Sequence, residues 1–210
     1  MKTPSWRRGL ERHGAFWQNP RWFDLHLERR MPLALTMLEE LTAALPPLAV
    51  DARVCDFACG TGNAAYTLLT AYPVVKLTLL DQDDEWLDVA DEKVDEFELE
   101  EDALTLLKSP LPRDGEAIPG GPYDVVISGL GVSSLLEPGA DPGEAETRVE
   151  LVFRSIRAAL VPGGHVLIGD TVGVLGLYRH MKAMERAGFA DVDCAWRQDD
   201  FFVIGGRVAE

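Results

Sequence analysis

Two hydrophobic rhythms divide the chain. Leu35, Leu38, Leu41 and Leu45 recur at helical spacing, which puts them on one face of a helix. Pro32 suits the first turn of that helix and Pro46-Pro47 stops it. Asn19-Pro20 and Met31-Pro32 mark breaks between helical pieces over residues 1–45. Beyond residue 50 short apolar runs alternate with amphipathic stretches. The runs at 52–57, 74–80 (VVKLTLL), 123–128 and 165–169 predict strands, and another is expected within 103–108. Residues 63–71, 83–97, 144–160 and 174–187 predict helices. In the second of these Trp86, Leu87, Ala90, Val94 and Phe97 share a face. Pro162-Gly163-Gly164 reads as a turn before its strand. Residues 191–196 and 201–208 read as two strands joined by Arg197-Gln198-Asp199-Asp200.

Strands alternating with helices imply an α/β protein, doubly wound, with a mostly parallel sheet covered on both faces. Ligands of such sheets bind at the carboxyl ends of the strands, near the switch in strand order. The stretch CDFACGTGN (residues 55–63) and Asp81 both fall at predicted strand ends. They therefore belong to one site.

Three ligands compete for that turn. A phosphate loop of the Walker type needs a lysine followed by Ser or Thr after its last glycine, and Gly62 is followed by Asn63-Ala64-Ala65. A dinucleotide fits the degenerate pattern Gly60-x-Gly62-x-x-Ala65, with Asp81 19 residues beyond Gly62. An NAD-dependent oxidoreductase would also need a further substrate region, however, and Asp56 ahead of the turn opposes a pyrophosphate. An acid there suits a cationic ligand better, and Asp81 would suit a ribose diol.

Charge and composition narrow the partners. The net charge of -15 disfavours nucleic acid. Residues 81–102 alone carry 13 acidic side chains against Lys93, whereas residues 1–30 hold seven Lys/Arg against three Asp/Glu. The acidic run occupies the polar face of its helix and reads as a solvated surface. No run approaches the roughly 18 apolar residues of a membrane span. The charged N-terminus lacks the apolar segment of a secretory signal. Three cysteines give no disulfide framework, and Cys55 and Cys59 have no partners at zinc spacing. The expectation is a cytoplasmic chain with no metal and no membrane contact.

Residues 50–208 resemble the class I S-adenosylmethionine-dependent methyltransferases. The resemblance rests on VCDFACGTGN, LTLLDQD, YDVVISGLG, LVPGGHVLIGD and the ending AGFADVDCAWRQDDFFVIGGR, in that order. It implies a Rossmann-like, seven-stranded sheet closing in an antiparallel strand pair. Residues 1–49 would form a helical arm and 50–210 the cofactor-binding domain. It also implies methyl transfer from S-adenosyl-L-methionine by in-line displacement, leaving S-adenosyl-L-homocysteine. By the same resemblance Asp56, Gly60 and Gly62 hold the methionine end, with Gly62 letting the backbone approach the ligand. Asp81 takes the ribose hydroxyls and Gln82 lies near the adenosine, while Ala58, Asn63, Ser109, Ser128 and Gly129 complete the cofactor site. Ala58 replaces the family's usual first glycine, a change that costs little if its φ is negative. The acid often found after the third strand is missing: its position falls near Lys108-Ser109, and Asp102 comes early.

The acceptor should lie beyond Ser128, Gly129 and Leu130, beside Asp170 and under the N-terminal helices. Phe16 to Phe23 (FWQNPRWF) packs four aromatics and an arginine into eight residues, serving as a lid, as hydrophobic docking, or as both. Trp17, Trp22, Leu130 and Asp170 are the candidate acceptor contacts. His13 and His26 are the only candidate bases in the arm, and each reads first as a surface or packing histidine. Amide- and amino-directed members of the family carry Asp/Asn-Pro-Pro-aromatic after the fourth strand, and Ser128-Gly129-Leu130-Gly131 stands there instead. A small-molecule acceptor is therefore expected first and a protein or RNA second. A chain that holds the cofactor or its product without turnover is the alternative.

Overall fold

Val54, Cys55, Asp56 and Phe57 are all fully buried, and a strand with both faces covered belongs at the centre of a sheet. A computed structural model places it there, describing residues 17–110, 112, 115–136, 139–173 and 175–210. In chain order the elements are α1 Pro20–Arg30, α2 Pro32–Ala43, β1 Arg53–Phe57, α3 Asn63–Ala71, β2 Lys76–Asp81, α4 Asp84–Val94, a 3-10 turn Asp95–Phe97, β3 Leu104–Lys108, β4 Tyr123–Gly129, α5 Gly131–Ser134, α6 Pro142–Ala158, β5 Leu160–Thr171, α7 Leu177–Arg186, β6 Ala190–Gln198 and β7 Phe201–Arg207. The sheet runs β3-β2-β1-β4-β5-β7-β6. Pairs from β3 through β5 are parallel, and β7 is antiparallel to both β5 and β6. The chain crosses from β3 back to β4 on the other side of β1. The switch in strand order thus lies between β1 and β4.

The helix boundaries follow local chemistry. The Asn19 side chain accepts from Arg21 N and Pro20 opens α1, while Pro32 opens α2 directly after Met31. Asp83 and Asp141 cap α4 and α6 in the same way. Two elements differ from the sequence expectation. The predicted helix over 83–97 tightens into the 3-10 turn after Val94. Pro162-Gly163-Gly164 does not stand outside its strand. β5 pairs Leu160 with Tyr123, skips, and resumes with His165 opposite Val125. Meanwhile Gly163 N donates to Val208 O and Val208 N donates to Gly164 O. The pairing on both sides absorbs the turn into the strand as an irregularity.

Two apolar layers cover the sheet. On one face Val149, Val152, Phe153 and Ile156 of α6 join Ala183 and Met184 of α7 over Phe57, Val126 and Ile168. On the other, Met37 and Leu41 of α2, Leu68 of α3 and Leu87 and Ala90 of α4 pack over Val54, Leu79, Val125 and Ile127. α2 lies so close to the sheet that a Cβ on Gly169 would come within 3.1 Å of Met37 and Leu41. This helix is part of the core. We expect Met37→Ala to lower stability by about 2–5 kcal/mol. Urea unfolding should remain a single transition followed alike by fluorescence and circular dichroism. A separate early transition would instead show α2 to be a detachable piece.

Candidate active site

At the carboxyl ends of β1, β2, β4 and β5 a cavity of about 740 Å³ opens under α1 and α2. Its floor is Ala58–Thr61 and Asn63 of the turn, with Asp81, Gln82 and Asp83. Gly129, Leu130, Gly131, Ser133, Ser134 and Thr171 form one side, and Trp17, Gln18, Phe23, Leu27, Met31, Leu38 and Trp86 close it.

Two aspartates hold the turn from adjacent strands. Asp81 Oδ2 accepts from Gly60 N at 3.0 Å, while its Oδ1 accepts from Gln82 N at 2.7 Å and Asp83 N at 3.2 Å. Burial pushes the Asp81 carboxyl above its ordinary pKa, and these three N–H bonds oppose the rise. They take three of the four acceptor positions of a carboxylate. One is left for a ribose hydroxyl, fewer than the diol reading required, and Gln82 beside it is the next available partner. The task of capping α4 belongs to Asp83, which accepts from Glu85 N.

Asp56 is wholly buried and does not line the cavity. Its Oδ2 accepts from Ala65 N at 3.0 Å inside α3, and Oδ1 has no partner among the described residues. Burial drives its pKa up to about 7, opposed first by the Ala65 N–H. The expected direct hold on a methionine ammonium is corrected accordingly. Asp56 shapes the turn from below.

The glycines divide their tasks. Gly62 has φ +73, and a Cβ there would stand 3.0 Å from Ala90 Cβ. The close approach that it permits is therefore to α4, not to a ligand as the sequence suggested. Gly60 has φ +55, and its missing Cβ would point toward the Trp86 ring at 3.6 Å, on the cavity side. Ala58 has φ +52, so the condition under which its substitution was harmless is not met. A left-handed alanine costs about 1–2 kcal/mol. Gly131 makes room for it, since a Cβ at 131 would lie 2.9 Å from Ala58 Cβ.

Of the other sequence candidates, Asn63, Gln82, Gly129, Leu130 and Trp17 line the cavity. Ser128 is buried behind it, its hydroxyl without a partner among the described residues. Ser109 lies outside the lining, donating its N–H to Asp81 O, and Asp102 forms an exposed ion pair with Lys76. Trp22 points to solvent at 51% exposure. Asp170 is buried one residue from the lining, accepting from Ser133 N and Thr171 N at 2.7 Å each. It thereby positions α5 and does not face an acceptor. His26 lies with its ring centroid 5.7 Å from that of Trp17, tilted by 43°, and is not part of the lining. His13 and Phe16 lie outside the described residues. The sequence reading missed Trp86, Phe23 as a wall residue, Thr61, Ser133 and Thr171. Trp86 carried the right signal, an aromatic one turn past Asp81, but its spacing was equally that of a core face.

Among the described residues no helix is long and apolar enough to cross a membrane, and no cluster of His, Cys, Asp and Glu is arranged to hold a metal.

A turn pinned by two strand-end aspartates at a sheet's switch point, beside an apolar cavity without basic groups among the described lining residues, fits a cationic nucleoside better than a dinucleotide. Comparison with known proteins agrees. The profile of the methyltransferase-domain family matches residues 55–166, more than half of the chain. The chain belongs to this family and has its class I, Rossmann-like fold, for which S-adenosylmethionine is the cofactor. It is 29% identical over 184 residues to the ribosomal protein uL3 glutamine methyltransferase of Bordetella pertussis, covering 81% of this chain and 60% of that one. To the ribosomal RNA small subunit methyltransferase H of Kineococcus radiotolerans it is 32% identical over 155 residues, covering 71% and 37%. The chain thus spans less than two thirds of the length of these curated relatives. Among solved structures, the apo S-adenosylmethionine-dependent methyltransferase SibL superposes with TM-score 0.66 at 19% identity, over 94% of this chain and 62% of that one. The glycopeptide N-methyltransferase MtfA, solved with S-adenosylmethionine, gives 0.62 at 14%, over 84% and 94%.

Two outcomes test this geometry. Gly62→Ala meets α4 and should cost about 1–3 kcal/mol of stability, measured by urea midpoint. Gly60→Ala meets only ordinary contact distances, so beyond the about 1–2 kcal/mol of its left-handed backbone its effect should be on S-adenosylhomocysteine affinity, measured by calorimetry. The second outcome concerns Asp56. Its folded pKa of about 7 exceeds its unfolded value of 3.8, so the folded chain keeps a proton that the unfolded chain has lost. Asp56 therefore costs increasing stability as pH rises from about 4 to about 7, and a constant amount above that. Asp56→Asn keeps the acceptor for Ala65 N. Its stability relative to the parent should climb across that window and then level off.

Proposed function

We propose that this chain transfers the methyl group of S-adenosylmethionine to a small, largely apolar acceptor held beneath α1 and α2. The observation that carries the reading is the cavity wall. Trp17, Phe23, Leu27, Met31, Leu38, Trp86 and Leu130 surround the space beyond the cofactor turn. Trp17 meets Phe23 edge-on with centroids 5.7 Å apart, and Phe23 meets Trp86 at 5.1 Å. Walls of this kind bury apolar ligands and leave orientation to a few polar groups, here Ser133, Ser134 and Thr171.

When bound, the cofactor supplies a methyl on a sulfonium whose thioether leaves without a proton. The chain's own residues have the remaining tasks. Asp81 and Gln82 would take the ribose, Gly60 leaves room against the turn, and the aromatic wall excludes water. Such positioning supplies on the order of 7–11 kcal/mol in favourable cases. Among the described lining residues there is no imidazole, amine or guanidinium, and Asp81 is already engaged by three N–H groups. This composition suits an acceptor that needs little help from a base, such as a neutral amine or a thiol.

The named activities of the two ribosomal relatives keep protein and RNA acceptors in view. Against them stand the net charge of -15 and Ser128-Gly129-Leu130-Gly131 at the place of the amide-directed motif. Incubation with labelled S-adenosylmethionine and a fractionated cell extract decides. Label is expected in the low-molecular-weight fraction. Label confined to ribosomal protein or RNA would overturn the acceptor class. No label at all despite tight S-adenosylhomocysteine binding would leave a binding protein.

A further inference from the structure

One carboxylate of α1 gathers donors from the rest of the site. Thr61 Oγ1 and Asn63 Nδ2 donate to Asp24 Oδ1 at 2.6 and 2.8 Å, and Lys93 Nζ donates to Asp24 Oδ2 at 2.6 Å. Lys93 Nζ also donates to Asn63 Oδ1 at 2.7 Å, and Asn63 Nδ2 lies 3.0 Å from Thr61 Oγ1. Thr61 and Asn63 flank Gly62 in the cofactor turn, and Lys93 extends from α4, whose Ala90 packs beneath Gly62. The ring of bonds thus joins the arm, the turn and the helix under it.

This cluster differs from an ordinary surface ion pair. Exposed pairs hold little because both side chains must be ordered for a screened attraction. Here Thr61 is 1% exposed and the Lys93 side chain 18%, against 40% for Asp24 itself, so packing fixes the donors and Asp24 is the one group that must be ordered to meet them. The same cluster is a partition. Asn63 lines the cavity on one side, and with Asp24 and Lys93 it lines a second groove, between α2 and α3, on the other. One turn before Asp24, Arg21 makes a two-pronged pair with Glu92 of α4, and one residue before it Phe23 meets Trp86. α1 is therefore seated on α4 by contacts at three successive places.

We propose that Asp24 is a positioning residue that couples docking of α1 to the conformation of the cofactor turn, so that cofactor binding and closure of the acceptor wall occur together. α1 contributes Phe23 and Leu27 to that wall, and α1 can sit there only if Thr61 and Asn63 are presented as the turn presents them. Linkage is reciprocal: a cofactor that orders the turn strengthens the seat of α1, and a seated α1 strengthens cofactor binding by the same factor. The proposal rests on the turn being the cofactor's seat.

The test uses S-adenosylhomocysteine with the full chain and its Asp24→Asn, Lys93→Met and doubly substituted forms. Asn is nearly isosteric, so the fold is retained. Its single carbonyl oxygen cannot accept from both the Thr61–Asn63 side and Lys93, however, and its NH2 group faces a donor on the other side, which breaks the ring of bonds. Calorimetry should show about tenfold weaker binding in each single variant and no further loss in the double, because both break one coupling. Hydrogen exchange gives the second readout. In the parent, the ligand should slow exchange of the amides of α1 beyond Pro20, within residues 20–30. In Asp24→Asn it should protect the turn but leave 20–30 unchanged. A merely structural role would raise exchange equally with and without ligand. Unchanged affinity, additive losses, or full ligand protection of 20–30 in Asp24→Asn would each overturn the coupling alone. Failure of the parent to bind S-adenosylhomocysteine would overturn the seat itself and the coupling with it.

Discussion

The turn between β1 and α3 is suspended from two carboxylates, and the geometry of the site depends on that suspension. Asp56 accepts from Ala65 N within α3, and Asp81 on the neighbouring strand accepts from Gly60 N at the start of the turn. Glycine loses more conformational freedom on folding than any other residue, so a turn with Gly60 and Gly62 needs anchors from outside itself. Parallel register supplies them. β1 and β2 are paired from Arg53–Lys76 to Phe57–Leu80, so the end of one strand sits beside the end of the other. Each aspartate then reaches a different end of the same turn. Charge-assisted bonds to backbone N–H are among the stronger ones, and burying Asp56 wholly is what raises its pKa.

Above that turn the N-terminal segment acts in two different ways. α2 packs by volume: Met37, Leu38 and Leu41 fill the space that Gly129 and Gly169 leave open on the sheet. α1 is held chiefly by directed contacts, the Asp24 cluster, the Arg21–Glu92 pair and the edge-on rings. Dispersion over a buried face is insensitive to small changes at a ligand site, whereas hydrogen bonds to the turn are lost when the turn moves. The outer helix can therefore respond to the site while the inner one maintains the fold.

The acidic segment shows how a charge run hides tertiary contacts. Asp84, Glu85 and Asp88 face water, as the amphipathic pattern suggests. Glu92 and Lys93 instead reach across to Arg21 and Asp24. The residue types are those of a solvated face. Only the position of α1, 69 residues away for the Lys93–Asp24 pair, turns them into connections. Gly62 is a similar case: its pattern pointed to a ligand, yet its missing side chain accommodates Ala90.

Alternating strand and helix patterns, the order of the motifs around Gly60, Asp81 and Pro162, and the closing strand pair were sufficient to establish an α/β sheet and its family, and to point to the strand ends where the cavity lies. These features are legible because they are local: side-chain period, cap and turn chemistry act over a few residues. What each acid and glycine touches was decided by tertiary structure. Asp56 turned inward to Ala65, Ala58 took a left-handed conformation opposite Gly131, Asp170 went to the α5 backbone, and Asp24 became the meeting point of the arm and the turn. Those outcomes depend on distances between elements far apart in the chain. Such distances are set by strand register and helix packing, which no local pattern encodes.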